Sequence, residues 1–86
     1  VRHAGPETLA ELDGLLTGLR ETAGIVERKT GVFYRGSKAF LHFHEDPSGP
    51  YVDVRLDRNG DFDRFRVRTS AERRQVLSRV RSALAS

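Results

Sequence analysis

The 86-residue chain contains no cysteine, no methionine and no tryptophan. Without cysteine there is neither a disulfide framework nor a thiolate metal site, so any metal would have to be held by nitrogen or oxygen. No apolar run approaches the roughly 20 residues of a membrane span, and no signal-peptide core is visible. These absences predict a cytoplasmic protein with no membrane partner. A chain this short buries roughly 60% of the surface its unfolded form exposes, which supports one core and therefore one domain over residues 1–86. Residues 1–5, which start without a methionine, are expected to be disordered or left by processing.

Lysine is also scarce. The formal charge of +3 rests on 13 arginines and two lysines. Arginine suits flat bidentate partners such as phosphate and carboxylate, although a GC-rich genome produces the same excess.

Two segments at the ends carry a helical period. Pro6-Glu7 opens the first, with proline and acid where the helix start favours them. Leu9, Leu12, Leu16 and Leu19 recur at three- and four-residue steps, and Gly24 closes the segment after Ala23. Gly14 and Gly18 sit four apart on one face, where a neighbour can approach closely. Near the C-terminus, Thr69 and Glu72 form a capping box ahead of Val76, Leu77, Val80 and Leu84, predicting a helix over 70–84.

Between the helices the period drops to two. Val32 and Tyr34 alternate before a Gly36-Ser37 turn, and Leu41 and Phe43 alternate up to Asp46-Pro47-Ser48-Gly49-Pro50. Val52, Val54 and Leu56 alternate before Asn59-Gly60, with Phe65 and Val67 beyond. Residues 25–30 can extend the first strand backwards through a bulge at Gly31. The expected fold is α+β: a two-layer sandwich with a four-stranded antiparallel meander and one helix from each end on the same face.

Register sharpens this expectation, because a one-residue slip sends apolar side chains to the wrong face. A two-residue turn at Gly36-Ser37 sets Val32 opposite Leu41, Tyr34 opposite Ala39 and Phe33 opposite Phe40. A two-residue turn at Asn59-Gly60 sets Val54 opposite Phe65 and Val52 opposite Val67. The middle hairpin has two registers, placing Asp53 opposite either His42 or His44. The face away from the helices would then carry Phe33, Phe40, His42, His44, Asp53, Arg55, Phe62, Arg64 and Arg66. Three phenylalanines on an open face point to a contact surface.

The strand Phe40-Leu41-His42-Phe43-His44 places both histidines on one face, where they can converge on one ion. Zinc or another divalent metal held by His42 and His44, with Asp53 as a third ligand or as a group that orients one of them, is one reading; a structural histidine–aspartate pair with no cofactor is the second, and acid–base chemistry the third. Gly36, five residues, then His42-Phe43-His44 resembles the opening of the first cupin motif. The glutamate that motif expects would fall at Ser48 or Gly49, no second motif follows, and the chain is too short for a cupin barrel, so only the local chelate geometry carries over. The segment Gly31 to Leu56 resembles small bacterial α+β proteins of uncharacterised function with a helix–sheet–helix plan. It is similar, more faintly, to the luciferase-type domain family. Neither resemblance implies an activity.

Three functions follow. The preferred one is a non-catalytic interaction module that binds a protein partner or a second copy through Phe33, Phe40 and Phe62. The second is single-stranded nucleic-acid binding by aromatic stacking with an arginine rim. The third is a metal-binding or metal-dependent site at His42, His44 and Asp53. No serine or threonine nucleophile is placed beside the histidines, which weighs against an enzyme.

Overall fold

A computed structural model describes residues 2–85. The elements in order are β1 (Arg2–His3), α1 (Pro6–Glu11), α2 (Asp13–Arg20), β2 (Val26–Lys29), β3 (Val32–Arg35), β4 (Lys38–Asp46), β5 (Gly49–Val54), β6 (Asp63–Arg66) and α3 (Ser70–Ala85). The class is α+β with one antiparallel sheet. The sheet has six strands rather than four, in the order β2-β3-β4-β5-β6, with β1 beside β4.

Both extra strands lie where the sequence signal was weak. Residues 26–29 do not extend β3 but fold back on it, with Val26 opposite Tyr34 and Glu27 opposite Phe33. Gly31 makes that reversal at φ +77°, and a side chain there would meet Leu9 Cδ2 at 2.9 Å. Only glycine satisfies both conditions. The expectation of a disordered start is corrected for Arg2 and His3, which pair with Glu45 and His44; Val1 lies outside the described residues.

The nine-residue β4 is the spine. Its first half pairs with β3, its last residues with β1 on the same edge, and its whole second half with β5 on the other. The expected first helix is interrupted at Leu12, whose ψ of 12° closes α1 and opens α2. The capping box of α3 forms in both directions: Glu72 N donates to Thr69 Oγ1 and Thr69 N donates to Glu72 Oε1. Of the two helix-one glycines, Gly18 is the one closely packed, against Leu77 of α3, while Gly14 faces open space.

One core joins the helices to the sheet. Leu12, Leu15, Leu16, Leu19, Val76 and Val80 pack with Leu41, Phe43, Val52, Val54 and Val67. Phe33 and Phe40 belong to this core too, at 0% and 1% exposure. Their expected place on the open face is therefore overturned. The cause is a bulge at Phe40: Tyr34 still faces Ala39, but Phe33 faces Leu41 and Val32 faces His42. Inserting one residue reverses the parity of everything beyond it. Phe33 turns inward, and Val32 and Tyr34, expected inside, turn to the histidine face.

The last hairpin also differs from its two-residue expectation. Val52 faces Phe65 and Val54 faces Asp63, so the connection spans residues 55–62. The slip is two residues, so facing is preserved: Phe65 and Val67 remain with the core.

Candidate metal centre

The middle hairpin adopts the register with His42 opposite Asp53, and Asp53 in turn opposite Arg64. Next along the same face are His44 opposite Tyr51 and His3 opposite His44. Directly opposed residues in an antiparallel pair share a face, so His3, His42, His44, Asp53 and Arg64 all project from the side away from the helices.

His3 reaches this cluster because Glu45 holds the segment before α1. Glu45 points to the opposite face from His44, as its parity requires. There Oε1 accepts the Gly5 N–H at 2.8 Å, and Oε2 accepts the Thr8 hydroxyl. Ala4 N also donates to Phe43 O at 3.1 Å. These bonds pin residues 4–8 to β4 and leave Arg2–His3 aligned along its edge. Charge at the start of α1 favours the same arrangement. The Thr8 hydroxyl first, then the Gly5 N–H and the nearby charge of Arg2, hold the Glu45 carboxyl below its usual range.

The three imidazoles pack on one another. The rings of His42 and His44 lie edge to face at 4.6 Å between centroids, and His3 stacks on His44 at 5.0 Å. One potential ligand nitrogen from each lies within 4.8 Å of the others. Around a tetrahedral ion with bonds near 2.05 Å the nitrogens would be about 3.3 Å apart, so modest side-chain rotation closes the set. His3 is exposed and the other two are half-buried.

The most informative feature is what these rings do not bond. His42 Nδ1 and both nitrogens of His44 are buried without a hydrogen-bond partner. His44 Nε2 lies 3.0 Å from Asp53 Oδ2 without making a hydrogen bond to it. A buried polar nitrogen left unpaired costs about 1–3 kcal/mol. Three in one place are a large expense for a domain this small, and coordination, which takes one nitrogen from each ring, would relieve two of them. Burial first, and then the neighbouring His44, hold His42 below the usual imidazole range. The ring is thus neutral at pH 7, the form that ligates.

Asp53, expected as a third ligand, is placed differently. It is buried at 8% exposure, and both its oxygens are taken by Arg64, at 2.8 Å from Nε and 3.0 Å from Nη2. That bidentate bond holds its carboxyl below the usual range. The structure groups His3 with the two β4 histidines and leaves Asp53 beside them as a fixed negative charge. Sequence reasoning missed His3 because nothing local marks a two-residue strand; the one available signal was a third histidine in a chain with only three.

Among the remaining expected face residues, Phe62 lies in the 55–62 connection, half-buried, with its ring 4.8 Å from that of His42. The Arg55 guanidinium lies over the same ring at 4.4 Å. Arg66 is exposed opposite Tyr51. No helix among the described residues is long and apolar enough to cross a membrane. Compared with protein-family profiles, curated proteins and solved structures, the chain matches none, so the site must be read from its own geometry.

Proposed function

We propose that this chain is a transition-metal-binding domain whose ligands are His3, His42 and His44, with zinc the ion that best suits the set. The observation that carries the proposal is the convergence of three imidazoles, two of them with buried nitrogens that have no other partner. Imidazole favours zinc, copper, nickel and iron over the harder magnesium and calcium ions. Three protein ligands with one of them exposed match the open type of zinc site, in which a fourth position takes water or an external donor. Asp53, locked by Arg64 and 3.0 Å from His44 Nε2, offsets the charge of the ion from outside the ligand set.

Contact-surface and nucleic-acid functions both need exposed aromatic rings. Phe33 and Phe40 are enclosed in the core, and Phe62 is in contact with both Arg55 and His42. Of the three phenylalanines those two readings rest on, only Phe62 remains at that face, and the partly exposed Tyr34 and Tyr51 on the same face are each covered by an arginine, Arg28 and Arg64.

The test is calorimetric titration of chelator-treated protein with zinc chloride, alongside NMR of the imidazole resonances. One zinc per chain is expected, with all three histidines shifting together. His3→Ala, His42→Ala and His44→Ala should each weaken binding by about a hundredfold or more, since each removes one of three metal bonds. A folded triple-alanine variant that binds zinc as tightly as the parent would reject the proposal.

A further inference from the structure

A second site stands at the end of the sheet, beside Arg55, whose guanidinium lies over Phe62. There a pocket of about 280 Å³ opens between the β3–β4 turn and the 55–62 connection. Its lining includes Arg35, Lys38, Arg55 and Arg58, with Ala39 as the accessible apolar side chain and no carboxylate. Asp57, the acid next to Arg58 in the chain, uses its carboxylate to accept the Asn59 N–H at 3.1 Å.

The cations are arranged at a cost. Arg35 and Lys38 are direct cross-strand partners, and like charges so placed repel. Neither they nor Arg58 forms an ion pair among the described residues. Arg55 is held rigidly by contrast. Its Nε donates to Ala39 O at 3.2 Å, its Nη1 donates to Gly60 O at 2.6 Å, and its plane lies over Phe62. Two of its five N–H groups are thereby used, which leaves three donors on a fixed guanidinium. A preorganised arginine, flanked by three unpaired cations around a concave space, is a site for a group with two negative charges and several acceptor oxygens.

We infer that this pocket binds a small phosphate monoester, with the phosphate held by Arg55, Arg35, Arg58 and Lys38 and a compact organic group against Ala39. Its volume is at the small end of ligand pockets, which run from about 300 to 1,000 Å³, so the ligand is no larger than a single ring or sugar with its phosphate. The site does not depend on the metal reading, although Phe62 touches both Arg55 and His42 and so borders the two.

Chelator-treated protein should be titrated with phenyl phosphate, inorganic phosphate and phenol, following backbone amide resonances by NMR, so that the outcome is separate from that of the zinc experiment. Phenyl phosphate is expected to saturate at about 1 mM or below, shifting residues 35–40 and 55–60. Inorganic phosphate should bind more weakly at the same residues, and phenol should not bind. The double variant Arg35→Gln/Arg58→Gln removes two arginines that hold no structural bond, and should weaken phenyl phosphate by about tenfold or more. Arg74→Gln/Arg81→Gln on α3 should leave binding unchanged. Absence of saturation, or equal losses in the two double variants, would overturn the assignment. A short single-stranded oligonucleotide that shifts these resonances when phenyl phosphate does not would replace it with nucleic-acid binding.

Discussion

Truncating Phe33 to alanine separates scaffold from surface most directly. The ring is fully enclosed, it faces Leu41 across β3–β4, and it packs among the side chains that join the helices to the sheet. Removing it deletes six buried ring carbons and leaves a cavity that well-packed neighbours refill only in part. Phenylalanine-to-alanine changes of this kind cost about 3–5 kcal/mol. An 86-residue domain has a total stability of about 4–13 kcal/mol, so the variant should be marginal or unfolded at 37 °C. Urea unfolding followed by far-UV circular dichroism measures the change, with an unaltered m-value showing that the unfolded state is the same. Phe62→Ala is the comparison. That ring is half-buried and in contact with Arg55 and His42, so its loss should cost about 1 kcal/mol while shifting the His42 resonances. If Phe33→Ala lost less than about 1 kcal/mol, the bulge at Phe40 and the facing it imposes would be wrong, and Phe33 would return to the open surface.

Three further outcomes follow from the same contacts. Glu45→Ala removes the acceptor for Gly5 N–H and Thr8 Oγ–H, and should weaken zinc binding by about tenfold to a hundredfold, in the range of changes to groups that orient a ligand, because His3 is no longer aligned; calorimetry of the folded variant measures it. The carboxyls of Glu27, Glu45 and Glu72 are held below the usual 4.5, by the Arg20 hydrogen bond, the Thr8 hydroxyl and the Thr69 N–H in turn. Since the folded state holds these protons less tightly, their stabilisation is complete above pH 4.5 and is lost as pH falls through the lowered values. The melting temperature should begin to decline below about pH 6.5, where the unfolded chain protonates His42 more readily than the fold does. It should decline further below 4.5 as the carboxylates take up protons, and Glu72→Gln should make that second decline shallower. Gly14→Ala adds a methyl group that meets nothing within 4 Å and should raise stability by up to about 1 kcal/mol through helix propensity, read from urea midpoints.

Much of the secondary structure was legible because it rests on local physics. The capping box at Thr69 and Glu72 is closed by residues three apart, so the start of α3 could be named from the sequence and is found at Ser70. The period-two runs around Leu41, Phe43, Val52 and Val54 identify a buried sheet face, and those four residues are in the core. The pairing of His42 and His44 on one face follows from strand geometry alone.

What the sequence could not decide was parity and long-range pairing. A bulge is one unpaired residue with no composition of its own, yet the one at Phe40 turned Phe33 inward and moved Val32 and Tyr34 to the other face. The Asn59-Gly60 pair has the right residues for a tight turn, but Phe62 packs on His42 and Arg55 stacks on Phe62, contacts seen with a connection spanning residues 55–62. His3 joins His42 and His44 only because Glu45, some 40 residues from the helix start it holds, fastens that segment to β4. The amino-acid sequence by itself determined that no thiolate could serve and that two imidazoles shared a face. Tertiary structure alone brought the third imidazole to them and gave Asp53 to Arg64, because those contacts join strands whose alignment is set by the whole core rather than by any local run of residues.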